Sequence, residues 1–131
     1  MFSIGGIKAI EFGDGFNFSS NKGSVMNDEF YYDKKDVKTK TNHNGGINGG
    51  ISNSMPVIFN VAIRPTASIA KTQNTININT KQNDIINING RHDPCIVRRI
   101  NVVVKSMSII TIYDELIKRY GEDFYNLSVL K

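Results

Sequence analysis

Three stretches of this chain combine residue types that could do chemistry. In GRHDPC, residues 90–95, an arginine, a histidine and an aspartate stand together just ahead of a proline. As structure, Asp93-Pro94 is a helix start: the carboxylate caps free amides, and proline suits the first helical position. As a site, a helix N-terminus favours anions, and Arg91 adds a planar donor fork for phosphate or carboxylate. A carboxylate at Asp93 could also exchange a proton with a bound heterocycle. The second stretch is NHNGGINGGISNS, residues 42–54, with the pairs Gly45-Gly46 and Gly49-Gly50. Glycine lets backbone turn through positive φ and approach a ligand closely, and successive exposed amides can cradle an anion. A plain connection between two strands is the competing reading. The third is Arg64-Pro65-Thr66-Ala67-Ser68, where an apolar run gives way to a cation, a proline and small residues.

Other chemistries are excluded by what is absent from the sequence. No Gly-Lys-Ser/Thr closes a P-loop, and GDGFNF, starting at Gly13, lacks the third glycine of a dinucleotide turn. His92 and Cys95 are spaced like half a metal site, but there is no partner pair and His43 alone does not complete one, so we expect no metal. Cys95 reads as a small core residue.

The elements that must position these groups can be read from periodicity. IKAIEF, residues 7–12, alternates and ends at Gly13-Asp14-Gly15, with Phe16 and Phe18 resuming at period two, so two strands around a tight turn are expected. Residues 19–40 read as a polar surface excursion with room for a short strand at Phe30-Tyr31-Tyr32. A strand is expected over residues 57–63, ended by Pro65. Another is expected over residues 75–79, where isoleucine alternates with asparagine. The rest of the Asn-rich run up to Gly90 carries little information. From Pro94, apolar residues recur at helical spacing (Val97, Ile100, Val104, Met107, Ile110, Tyr113, Ile117, Tyr120) until Gly121 supplies a stop. Val102, Val103, Ile109 and Ile112 make the first two thirds apolar nearly all round, which predicts a long helix buried between layers. Packing must hold its β-branched run helical.

The chain has 131 residues, 40% hydrophobic and 21% charged, which suits one domain or a piece of something larger. A net charge of +4 favours anionic partners. It does not make a nucleic-acid binder, because the lysines between positions 34 and 40 are interleaved with aspartates and no aromatic platform lines a basic face. The single cysteine rules out an internal disulfide and fits a reducing compartment. No apolar stretch is long enough for a membrane, and MFSIGGIKAI is too short for a signal peptide, so a soluble, cytoplasmic protein is expected. A plastid address upstream of Met1 remains compatible.

Taken in order, GIKAIEFGDGF, NDEF, TNHNGGINGGISN, RPTASI and RHDPC opening a long helix resemble the C-terminal part of chorismate synthase. The resemblance runs from about Gly5 into the last helix. The family usually carries lysine where Arg64 stands, glycine where Ser54 stands and glutamate where Lys105 stands. The Gly-x-Ser-His-Gly motif, a further histidine, an Arg-Ser-Ser flavin contact and several substrate arginines of the family's N-terminal half have no counterpart here. Residues 1–131 therefore look like the C-terminal portion of such a domain. The resemblance implies an α+β fold in which antiparallel sheets sandwich internal helices, matching the short strands and single long helix read above.

It also implies an activity: the 1,4-elimination of phosphate from 5-enolpyruvylshikimate 3-phosphate to give chorismate, with reduced FMN as cofactor and NADP associated. By motif, Gly5, Gly6, Gly49, Arg64, Pro65, Thr66, Ala67, Ser68 and Arg91 become flavin contacts, and Asp93 manages the proton at flavin N5. Family members are homotetramers. The rival expectation is a non-catalytic phosphate- or nucleotide-binding fragment that folds only with a separate N-terminal half.

Overall fold

The structure, a computed structural model, describes residues 1–92 and 94–121. It is mixed α+β, with four small antiparallel sheets and a long C-terminal helix. The chain divides into two compact units, Met1–Ile63 and a second from Arg64 onward.

In the first unit the alternating IKAIEF forms β1 (Ile7–Phe12), antiparallel to β6 (Phe59–Ile63), with Ile10 opposite Val61 and Phe12 opposite Phe59. The last pair brings two rings to 5.8 Å between centroids, the cross-strand contact that favours this register. The strand expected at Phe16 and Phe18 is instead a 3-10 turn, Gly15–Ser20. Gly13 and Gly15 both turn at positive φ, and the Phe16 amide donates to the Glu11 carboxylate at 3.2 Å instead of to a ladder. A single turn, α1 (Gly23–Met26), buries Met26. The polar excursion then holds a full hairpin, β2 (Phe30–Asp33) against β3 (Asp36–Thr39), turning at Lys34 and Lys35. The half-buried pair Lys38–Asp33 spans the hairpin and the exposed pair Lys40–Glu29 lies beside it, and surface pairs of the latter kind add little stability.

The glycine-rich stretch contains a miniature hairpin, β4 (Ile47–Asn48) and β5 (Ile51–Ser52), joined by Gly49-Gly50. Both joining residues have positive φ, 57° and 81°, as a two-residue turn between twisted strands requires.

In the second unit β7 (Gln73–Asn77) pairs with β8 (Gln82–Ile86). The asparagine run that was uninformative in sequence has a use here. The Asn77 side-chain oxygen accepts the amides of Asn79 (3.1 Å) and Thr80 (3.2 Å), which closes the turn. Helix α2 (Val97–Tyr120) has 24 residues, about 36 Å of length. It begins three residues after Pro94, with Ile96 at the N-cap and no side-chain cap bond. The helix start expected at Asp93-Pro94 is therefore corrected: Pro94 is not the first helical residue, and Ile96 stands at the N-cap where an aspartate was expected. Gly121 ends the helix at φ 60°, its amide donating to the Ile117 carbonyl, as expected of a glycine stop.

Two further expectations are corrected. Within this chain α2 is not enclosed: Ile100 and Val104 are buried, while Val102 is 66% exposed and Ile109, Ile110 and Ile112 are also exposed. The physical reason is that the chain's own residues leave most of an all-round apolar helix uncovered. Cys95, expected in the core as part of the helix's first turn, is exposed because it precedes α2 and is not carried on the helix's buried face.

Ser54 is exposed and sits at φ 69°, in the left-handed region where a Cβ crowds the following carbonyl. Ser54→Gly removes that strain, partly offset by the extra freedom of the unfolded chain. The expected outcome is a gain of up to about 1 kcal/mol, read as a higher urea midpoint. A lower midpoint contradicts the strain.

Candidate functional site

Asp28, in the NDEF stretch, organises the entry to the glycine loop. It is 7% exposed and takes four hydrogen bonds. Its Oδ1 accepts the Thr41 hydroxyl and the His43 amide, both at 2.8 Å. Its Oδ2 accepts the Asn44 amide (2.9 Å) and side-chain Nδ2 (2.8 Å). Burial alone would raise its pKa. The Asn44 backbone and side-chain donors, with Thr41 and the His43 amide, outweigh that and lower it from the usual 3.8 to about 2.

The other side of the loop is tied to the β1 turn. His43 Nδ1 meets Asp14 Oδ2 at 2.7 Å, and the Asp14 amide donates to the His43 carbonyl at 2.8 Å. A carboxylate oxygen accepts, so Nδ1 carries the proton. The exit is tied by Asn42 Nδ2 to the Pro56 carbonyl (2.9 Å) and by the Ile58 amide to the Gly45 carbonyl (3.1 Å). Gly45 and Gly46 are needed because the backbone passes so closely. A Cβ on Gly45 would collide with Gly13 and the Ile58 carbonyl, and one on Gly46 would lie 2.5 Å from the Pro56 carbonyl oxygen. Gly49 differs: a Cβ there would meet nothing within 4 Å, and its positive φ is the requirement. Gly5 likewise faces open space, and Gly6 turns at φ 92°.

In the second unit, two of the motif stretches meet. Thr66, Ser68, Ile69 and Ala70 line a cavity of about 340 Å³ together with Gly90, His92 and Pro94. The lining combines Thr66, Ser68 and His92 with Ile69, Ala70 and Pro94, a mixture suited to a flat heterocycle with polar groups on its rim. Arg64, Pro65, Ala67 and Arg91 are exposed and are not among the lining residues. Asp93 lies outside the described residues. Gly5, Gly6 and Gly49 belong to the first unit. Lys105 is exposed on α2.

Sequence reasoning missed the roles of Asp28, Asp14, Asn42 and Gly90. Asp28 lies 13 to 16 residues from its partners, a separation that no local pattern reports. Its one signal was its place in a motif of the ordered set.

The first unit thus has a glycine loop tied by a buried carboxylate, and the second a cavity lined from two separated motifs. The chorismate synthase family profile matches residues 1–117. Relatives named chorismate synthase include one from Methanosphaera stadtmanae, 42% identical over 90% of this chain and 32% of its own length. One from Methanocaldococcus jannaschii is 48% identical over 90% of this chain and 32% of its own length. A third, from Methanococcus vannielii, is 50% identical over 89% and 31%. A solved chorismate synthase structure aligns over 49% of this chain and 20% of its own, at 38% identity and a TM-score of 0.47. The chain belongs to the chorismate synthase family and spans about a third of the length of these curated relatives. Among the described residues, no helix is long and apolar enough to cross a membrane.

The folded pKa of Asp28 lies below its unfolded value, so its contribution is complete above about pH 4 and is lost as pH falls toward 2. The shift corresponds to a contribution on the order of 2 kcal/mol. Asp28→Asn turns one acceptor into a donor facing donors. We expect it to lower stability by about 2–3 kcal/mol and to flatten the acid limb of the stability profile. An unchanged acid limb in urea titrations between pH 2 and 5 contradicts this assignment.

Proposed function

We propose that residues 1–131 are the C-terminal portion of a chorismate synthase that releases phosphate and a ring proton from 5-enolpyruvylshikimate 3-phosphate, forming chorismate for aromatic amino acid biosynthesis. The observation that carries the reading is the cavity shared by Thr66 and Ser68 with Gly90 and His92, in a chain of this family. Its lining fits a flavin: Ile69, Ala70 and Pro94 suit the ring faces, and the Thr66 and Ser68 hydroxyls suit the rim. Reduced FMN, when bound, supplies electron density to the substrate as phosphate leaves, with no net redox change. This chain's residues bind and orient. Arg64 and Arg91 provide fixed positive charge for phosphate. Pro65 and Ala67 shape the segment between them and the hydroxyls, and Gly5, Gly6 and Gly49 permit close backbone approach. Asp93 is the catalytic residue, holding or releasing the proton at flavin N5. The complete enzyme is cytoplasmic and homotetrameric.

A second reading, a phosphate- or nucleotide-binding chain without chemistry that folds with a separately made N-terminal half, draws on the exposed apolar surface of α2. Both readings expect no turnover from the 131 residues alone, because an incomplete electrostatic cage does not stabilise a departing phosphate.

With reduced FMN and substrate, the complete protein should form chorismate. A folded, flavin-loaded sample that forms none leaves the second reading standing. In the complete protein Asp93→Asn should fold and bind flavin normally, since asparagine keeps the size of aspartate and Ile96 holds the N-cap position of α2. Its turnover should fall roughly 10- to 10⁴-fold, the range for a lost proton-transfer group. Wild-type turnover at saturating substrate, with unchanged melting temperature, would remove Asp93 from the proton transfer.

A further inference from the structure

His92 carries none of the roles above, yet it lines the cavity. Its Nε2 lies 3.0 Å from the Ile88 carbonyl oxygen. A carbonyl only accepts, so Nε2 carries the proton, and the ring bridges four residues of backbone. Among the described residues, the segment 87–92 makes no backbone–backbone hydrogen bond of its own. The segment is neither helix nor strand, and most of it is exposed. Among the described residues, the His92 side chain supplies a directional bond across the stretch carrying Gly90 and Arg91. The imidazole also packs beside Gly90: a Cβ at that glycine would meet His92 Cε1 at 3.6 Å and Nε2 at 3.8 Å, ordinary contact distances.

We propose that His92 is a positioning residue of the flavin site. Its Nε2–H to Ile88 tether holds the 88–92 segment in the shape that lets Gly90 and the His92 ring present one wall of the cavity to a flat anionic heterocycle. This rests on the reading of the cavity as a flavin site. The role needs a donor at the Nε2 position, and neither proton transfer nor a charge.

Three variants separate that role from ring packing and from chemistry. Glutamine reaches about as far and keeps an N–H donor, phenylalanine keeps the ring without a donor, and asparagine keeps a donor that falls short. In the full natural protein, FMN titration should give near-wild-type affinity for His92→Gln. His92→Phe and His92→Asn should lose roughly 3- to 10-fold, the effect of one net hydrogen bond. Turnover at saturating flavin and substrate should change less than affinity does, because the role assigned to His92 involves no proton transfer. Equal affinity for the phenylalanine variant overturns the proposal, as does a glutamine variant as weak as phenylalanine. The imidazole ¹⁵N shifts of the ligand-free protein read the tether directly and should show the Nε2–H tautomer. An Nδ1–H tautomer removes the tether and the proposal with it. A wild-type protein that shows the Nε2–H tautomer but binds no FMN leaves the tether intact. It overturns the flavin reading, and with it the role of His92 in a flavin site.

Discussion

The buried carboxylate of Asp28 holds the first unit's loops in place. Four donors converge on it from Thr41, His43 and Asn44, across 13 to 16 residues of chain. Such a carboxylate cannot be replaced by an apolar group without orphaning its donors, and it fixes direction as well as distance. With those residues held, His43 is placed to meet Asp14, and the β1 turn is drawn against the loop. Gly13, Gly45 and Gly46 then have to be glycine because main chain passes main chain at contact distance. The glycine pairs follow from this polar frame, and the hairpin between β4 and β5 projects from it.

The second unit is organised differently. Its hairpin β7–β8 and helix α2 share no such buried carboxylate among the described residues, and α2 buries few of its apolar side chains. An isolated two-stranded sheet is marginal in water, and a helix apolar on most sides gains stability only when those sides are covered. A chain spanning about a third of its relatives' length has this imbalance at its centre. The Asp28 carboxylate of the first unit meets four donors, while much of the apolar surface of α2 in the second is left open.

Much of the architecture was legible beforehand. The β1 strand followed from the alternation of IKAIEF, and β6 from an apolar run stopped by Pro65. The β7 strand followed from the alternation of TININ, though it lies two residues earlier than expected, and the Gly121 stop from a glycine after the last periodic residue. Where local pattern failed, a specific competing contact decided. Phe16 and Phe18 kept the period of a strand, but Glu11 captured the Phe16 amide and the chain coiled into a 3-10 turn. β8 was hidden because QNDII has no alternation of its own, and it forms because Asn77 closes the preceding turn. The start of α2 shifted to Val97, three residues beyond the proline that marked it in the sequence.

The candidate site divides along the same line. Sequence alone established the ordered motif set, the family it resembles, and the residue types able to handle a phosphate or a ring proton. Those are properties of local composition and order. Only tertiary structure could show that Thr66 and Ser68 share a cavity with Gly90 and His92, that His92 is tethered to Ile88, and that Asp28 holds the glycine loop. Each of these depends on side-chain direction and on partners brought together by folding. Sequence distance along a chain carries neither, because one hydrogen bond closes over four residues or over sixteen with the same geometry.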